Sequence, residues 1–196
     1  MARVRKFSSS EIFTETKNLL LSNGYNGFTI RLLADALNVS RAAIYKYYPN
    51  KDELIMDFMI HEMSILIRDL KAIDKTARFE VQLDNLLTCI FKKKDLHEIL
   101  SIAAIISDSG NGQVARKKEH LEELHRSMYQ PMERMIALGK AEGVLSAHLP
   151  DALILGFIFQ SIAIPNHMNL PEKDFREFIF DMICTGIYKP SKVTIV

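Results

Sequence analysis

The sequence predicts an all-helical chain, with three short N-terminal helices followed by a larger helical bundle. Three observations predict it. Glycine and proline together supply 14 of 196 residues, about 7% against a usual level near 12%, so few positions break a helix. Apolar residues recur at helical spacing, and no alternating strand pattern competes except faintly in the tail, Val193–Val196. Capping residues stand where the helical stripes begin.

The elements follow in order. Ser8 and Glu11 have the spacing of a capping box, Ile12, Phe13, Leu19 and Leu20 follow, and Asn23-Gly24 ends the first helix. Thr29 caps the second, whose Ile30, Leu33, Ala34 and Leu37 form one stripe. Asn38 tolerates the left-handed conformation that closes this helix, and Ser40 caps the next. Only Asn38 and Val39 separate the two helices, so the turn between them is tight. The third helix covers 41–48 and stops at Pro49. Asn50 with Glu53 opens a fourth, reaching about Leu70. Further helices are expected near 79–92, 95–107, 113–142, 151–164 and 172–187. Pro131 should kink or split the long 113–142 segment. The strongest breaks are 108–112, 143–150 and 165–171.

Several function classes are excluded or disfavoured. Cys89 and Cys184 form no CxxC pair and no disulfide framework, which suits a reducing cytoplasm. No apolar stretch follows the charged first residues, so no signal peptide is expected. The greasiest run, 152–164, is too short to span a membrane and reads as a buried helix. His61-Glu62 and His97-Glu98 begin like a zinc HExxH motif, but Ile65 and Ser101 stand where the second histidine belongs. No phosphate loop, dinucleotide fingerprint or nucleophile elbow occurs. The sequence therefore predicts no enzyme, no metal and no cofactor.

Charge is unevenly placed. Residues 1–51 carry eight basic and three acidic side chains, a net of +5, whereas 52–196 carry −4 within an overall +1. A basic head on an acidic body fits a polyanion at the head alone. Two short helices joined by a tight turn are the unit whose second helix enters a DNA major groove. On that second helix Ile44 and Tyr48 share the inward side. Ala42, Tyr45 and Lys46 face away from them, flanked by Arg41 and Tyr47. Ala42 and Ala43 permit close approach to base edges, Arg41 suits guanine or phosphate, and Tyr45, Lys46 and Tyr47 suit phosphates. Lys51 opposes the dipole of its helix, which helix stability does not explain and an approaching phosphate does. Thr29 can serve a second phosphate in the same way, and Ser40 and Arg31 complete the candidate set. The competing reading is an ordinary solvated face on a protein-interaction module.

The stretch from Phe28 to Leu54, with Thr29-Ile30-Arg31, Leu33-Ala34, Val39-Ser40-Arg41-Ala42-Ala43-Ile44-Tyr45 and Lys51-Asp52-Glu53-Leu54, resembles the DNA-binding signature of the tetracycline-repressor family. Tyr47 and Tyr48 stand where that family usually has His and Phe. The resemblance implies about nine helices, with a helix-turn-helix DNA-binding domain at 1–51 and a ligand-binding and dimerisation bundle at 52–196. It implies a homodimer on a palindromic double-stranded operator, and a small-molecule inducer that releases it. Leu138–Leu145 and Leu149-Pro150-Asp151 are similar to a common linker before the family's dimerisation helices.

In the body, the run at 152–164 is apolar nearly all round and must be covered. Leu153 and Phe157, with Phe175, Phe178, Ile179 and Met182 of the last helix, are the candidate dimer contacts. Burial within one chain explains them too. Nine methionines and eleven phenylalanines suit a pocket for an apolar ligand or an ordinary core equally. Phe91, His120, Met128, Met132, Phe157 and Gln160 are the candidate ligand residues. A ligand that shifts the far end of the fourth helix would change the fit of two heads to the groove spacing of DNA, provided it binds the two states unequally.

Overall fold

The computed structural model describes residues 7–107 and 112–186. The tail at 193–196 and most of the expected break at 108–112 lie outside the described residues. Among the described residues there are nine α-helices and no strand.

Helix α1 (Ser9–Gly27) opens on a complete capping box: Ser8 Oγ accepts from Glu11 N at 3.0 Å, and Ser8 N donates to the Glu11 carboxylate at 2.6 Å. The Ser8 backbone N–H, and after it the Ser8 hydroxyl, hold the Glu11 carboxyl below its usual range. The regular helix ends where expected, because Gly24 takes φ +63°. A Cβ there would meet nothing within 4 Å, so the left-handed backbone alone calls for glycine. One further turn carries Tyr25 to Phe28.

Helix α2 (Ile30–Ala36) is capped by Thr29, whose Oγ1 accepts from Leu32 N at 3.2 Å, and it buries Ile30, Leu33 and Ala34. Asn38, at φ +51°, makes the tight turn. Helix α3 (Arg41–Tyr45) is shorter than the expected 41–48, because Tyr47 N and Tyr48 N both turn onto the Ile44 carbonyl. Pro49 disfavours helical backbone at Tyr48, so the last turn tightens instead of continuing. Helix α4 (Lys51–Lys71) has the expected cap: Glu53 N donates to Asn50 Oδ1 at 2.8 Å, and Asn50 Nδ2 donates back to the Glu53 carboxylate at 3.0 Å.

Helices α5 (Phe79–Phe91), α6 (Lys94–Ser101), α7 (Gly112–Ala141), α8 (Asp151–Gln160) and α9 (Glu172–Thr185) follow. Two expected helices end early in a 3-10 turn, at Ile102–Ala104 and Ser161–Ala163. Helix α7 is not split at Pro131. Leu121 and Met128 before the proline and Met132, Met135 and Ile136 after it are all buried. That burial, at about 1.5–3 kcal/mol per large apolar side chain, outweighs one lost backbone hydrogen bond.

The described residues group into two compact units. One runs to Ile65 and takes in Asp95–His125; the other comprises Leu66–Lys94 and the chain from Arg126 onward. The first centres on Ile12, Phe28, Leu33, Ile44, Leu54 and Phe58, all essentially inaccessible. In the second, α5 packs on α9, with Phe91 edge-on to Phe175 at 6.1 Å. Phe79, Leu83, Leu86, Leu87, Ile136 and Ile158 form its core. Gly139 admits the Phe79 ring so closely that a Cβ would lie 2.6 Å from it and 2.8 Å from Leu145.

Candidate nucleic-acid interface

The turn between α2 and α3 is held by backbone alone. Asn38 N donates to the Asp35 carbonyl at 3.1 Å and Val39 N to the Ala34 carbonyl at 2.9 Å. The left-handed Asn38 lets both bonds form within the four residues that link the helices. Helix α3 is thereby anchored on Ile44, which is fully buried, and on Tyr48, at 7% exposure. The opposite side is open: Arg41, Ala42, Tyr45, Lys46 and Tyr47 are exposed and Ala43 is half-buried. This is the division that the helical spacing predicts.

The remaining candidates fall around this face. Thr29 and Ser40 are both exposed; Thr29 caps its helix by its hydroxyl oxygen, whereas Ser40 makes no side-chain cap bond. Arg31 lies 3.8 Å from Asp35 with both side chains well exposed, an arrangement worth little in water and readily exchanged for a phosphate. Tyr47 meets Phe7 edge-on at 5.6 Å, and Lys46 Nζ lies 5.8 Å from the Tyr47 ring centre.

Lys51 has a reason for its place that the sequence did not disclose. Its Nζ donates to the Tyr25 carbonyl at 2.9 Å and lies 4.0 Å from the centre of the Tyr25 ring. Folding therefore supplies a partner that offsets the unfavourable helix dipole, so this lysine has an account within the fold beside the phosphate expected from the sequence. The Tyr25 hydroxyl in turn donates to Asp52 Oδ1 at 2.8 Å. Burial, with the Asp52 carboxylate second, pushes the Tyr25 phenol up to about 12.

Two more residues escape sequence reasoning. Phe7 packs under Tyr47 from outside every recognisable stripe. Lys117 of α7 donates to the Asp57 carboxylate at 2.9 Å and to the Glu53 carbonyl at 3.4 Å. Partners 26 to 64 positions apart leave no signal in a single sequence.

The candidate ligand residues differ in burial. Phe91, Met128 and Met132 are buried. His120 is exposed and lies 3.7 Å from Glu123, and Gln160 is exposed as well. The candidate dimer residues divide differently. Ile179 is buried at 3%, and Phe175 packs on Phe91 within the chain. Leu153, Phe157 and Phe178 are 61%, 48% and 54% exposed. Leu153 and Phe157 of α8, with Met182 and Ile183 of α9, line an open apolar groove of about 570 Å³ that includes Cys184. Burial, then the nearby Glu80 and Asp181, pushes this thiol up to about 11. Among the described residues no cluster of three His, Cys, Asp or Glu side chains can hold a metal, and no helix is long and apolar enough to cross a membrane.

Residues 12–57 match the family model for bacterial regulatory proteins of the tetR family. An uncharacterized HTH-type transcriptional regulator of Haemophilus influenzae is 32% identical over 80 residues, which are 40% of this chain and 43% of that protein. The match thus spans less than half the length of this curated relative. Two solved structures are similar in fold. FadR from Bacillus subtilis, in complex with stearoyl-CoA, is 16% identical with a TM-score of 0.68, covering 92% of this chain and all of that one. AibR, in complex with isovaleryl coenzyme A and operator DNA, is 14% identical with a TM-score of 0.72, covering 90% and 97%. At these identities the likeness is one of fold alone.

Proposed function

Starting from an N-terminal segment that is that of the tetR family of bacterial regulatory proteins, we propose that the chain is a transcriptional regulator: a cytoplasmic repressor that binds a palindromic operator as a homodimer. The observation that carries this reading is the outer side of α3. A short helix anchored by Ile44 and Tyr48 turns Arg41, Ala42, Tyr45, Lys46 and Tyr47 to solvent. Small residues allow the backbone to reach base edges, and the cationic and hydroxyl groups around them suit phosphate oxygens.

The homodimer is supported by the apolar groove on α8 and α9. Side chains as large as Leu153, Phe157 and Phe178 gain about 1.5–3 kcal/mol each on full burial, and a second copy presents the same patch. Release by a small ligand with an apolar part belongs to the same proposal. FadR and AibR, of the same fold, hold acyl thioesters, and the buried Phe91, Met128 and Met132 give the second unit apolar side chains able to repack. In this reading such a ligand favours a state in which the two heads no longer match the groove spacing.

Selection of bound fragments from sheared genomic DNA, followed by mobility shift on the recovered sites, tests the proposal. The expected result is a small set of inverted repeats with half-sites about one helical turn or a multiple of it apart. Recovery of no duplex at low salt overturns it.

A further inference from the structure

The start of α4 carries two opposite charges side by side, Lys51 and Asp52, close to where the DNA reading brings a phosphate. A carboxylate in the first turn is attracted to the free amides there and to any neighbouring ammonium. Left to itself it competes with a phosphate for both. Tyr25, in the turn after Gly24, holds each charge by a different part. Its carbonyl accepts from Lys51 Nζ at 2.9 Å, its ring lies under that ammonium at 4.0 Å, and its hydroxyl donates to Asp52 Oδ1 at 2.8 Å.

We propose that Tyr25 is a positioning residue of the DNA interface: it draws the Asp52 carboxylate away from the amides and ammonium that receive a phosphate, and holds Lys51 ready for it. The inference rests on the DNA-binding reading of α3. Three features support it. Tyr25 and Asp52 are half-buried, so their hydrogen bond is shielded from water. The phenol, pushed up to about 12, remains a donor across the working pH range. An ammonium already seated on a ring and a carbonyl gives up less side-chain freedom when DNA arrives, and it retains further N–H donors for a phosphate oxygen.

The test is a mutant cycle read by fluorescence anisotropy on the full chain, with a labelled mixed-sequence duplex of about 30 base pairs, enough for two half-sites. Four proteins are compared: the parent, Tyr25→Phe, Asp52→Asn and the double variant. Tyr25→Phe keeps the ring and the carbonyl and frees only the carboxylate. Affinity is expected to fall about three- to tenfold in Tyr25→Phe. Asp52→Asn is expected to raise affinity several-fold more in the Tyr25→Phe background than in the parent, since only there is the carboxylate loose. Any change of fold caused by Tyr25→Phe is common to both proteins of that comparison and cancels.

Between about 50 and 200 mM salt, the salt dependence of binding should also flatten in Tyr25→Phe and recover in the double variant. Equal effects of Asp52→Asn in the two backgrounds overturn the role of Tyr25 while leaving DNA binding intact. A parent that binds no duplex at low salt overturns both readings at once.

Discussion

Two helical pairs of this chain bury their apolar residues to different degrees. The pair α2–α3 hides Ile30, Leu33, Ala34 and Ile44 and leaves outward a face of alanine, arginine, lysine and tyrosine. The pair α8–α9 hides Ile154, Leu155, Ile158 and Ile179 and leaves Leu153, Phe157 and Phe178 exposed. Each pair has spent its inner side on its own core. The first then presents groups that water or phosphate oxygens satisfy equally well; the second presents groups that only apolar contact satisfies. The difference teaches that a functional surface is read from what remains after the core is complete, and that this chemistry is what the two proposed partners rest on: a polyanion for one, a like surface for the other.

The largest effect should come from giving the second surface the chemistry of the first. Phe178→Glu places a charge on the exposed apolar side of α9, and sedimentation is expected to show the dimer dissociation constant raised by about a hundredfold or more, given the cost of burying an unpaired carboxylate. A dimer of unchanged strength would move the interface elsewhere. The reciprocal experiment strips the first surface of its cations. Lys46→Ala with Lys51→Ala removes up to four phosphate contacts from a dimer, and operator affinity should fall by about two orders of magnitude near physiological salt, with circular dichroism and dimerisation unchanged.

A third variant probes the core beneath the second surface. Gly139→Ala forces a Cβ against the buried Phe79 ring, and thermal unfolding should show a loss of about 1–3 kcal/mol from overpacking. The smallest effect concerns Cys184. Its thiol is pushed up to about 11 by burial, so the thiolate is scarcer in the folded protein than in the unfolded chain. Stability tied to this group is present below its ordinary value of 9.0 and is lost as pH rises toward about 11. Iodoacetamide labelling at pH 8 should be slower than for a free thiol, and faster in the Phe178→Glu monomer than in the parent, because Cys184 lines the groove.

The residues differ in how far a single sequence discloses them. Caps and faces were legible because they are local: Ser8 with Glu11, Thr29, Asn50 with Glu53, and the inward pair Ile44 and Tyr48 each follow from spacings of three or four residues. Helix ends were less so. The tightened turn after Tyr45 and the 3-10 turns after Ser101 and Gln160 replace a last helical turn without altering the periodic pattern, and α7 passes through Pro131 because burial on both sides outweighs the local cost. Tertiary partners were not legible. Lys51 stands out by its place against the helix dipole, but its seat on Tyr25 joins two helices whose register no local rule supplies, and the same is true of Lys117 on Asp57. His120 and Gln160 were candidates by residue type alone, and type does not reveal exposure.

The claim that the outer side of α3 lies in a major groove is tested most directly by photocrosslinking. A selected operator in which 5-bromouracil replaces thymine carries its reactive atom on the major-groove edge. Irradiated with the parent protein, it should crosslink within residues 41–47, with Tyr45 the foremost site, and the crosslink should disappear at salt high enough to release the complex. Crosslinks confined to other segments, with 41–47 unmodified in a saturated complex, would contradict the account.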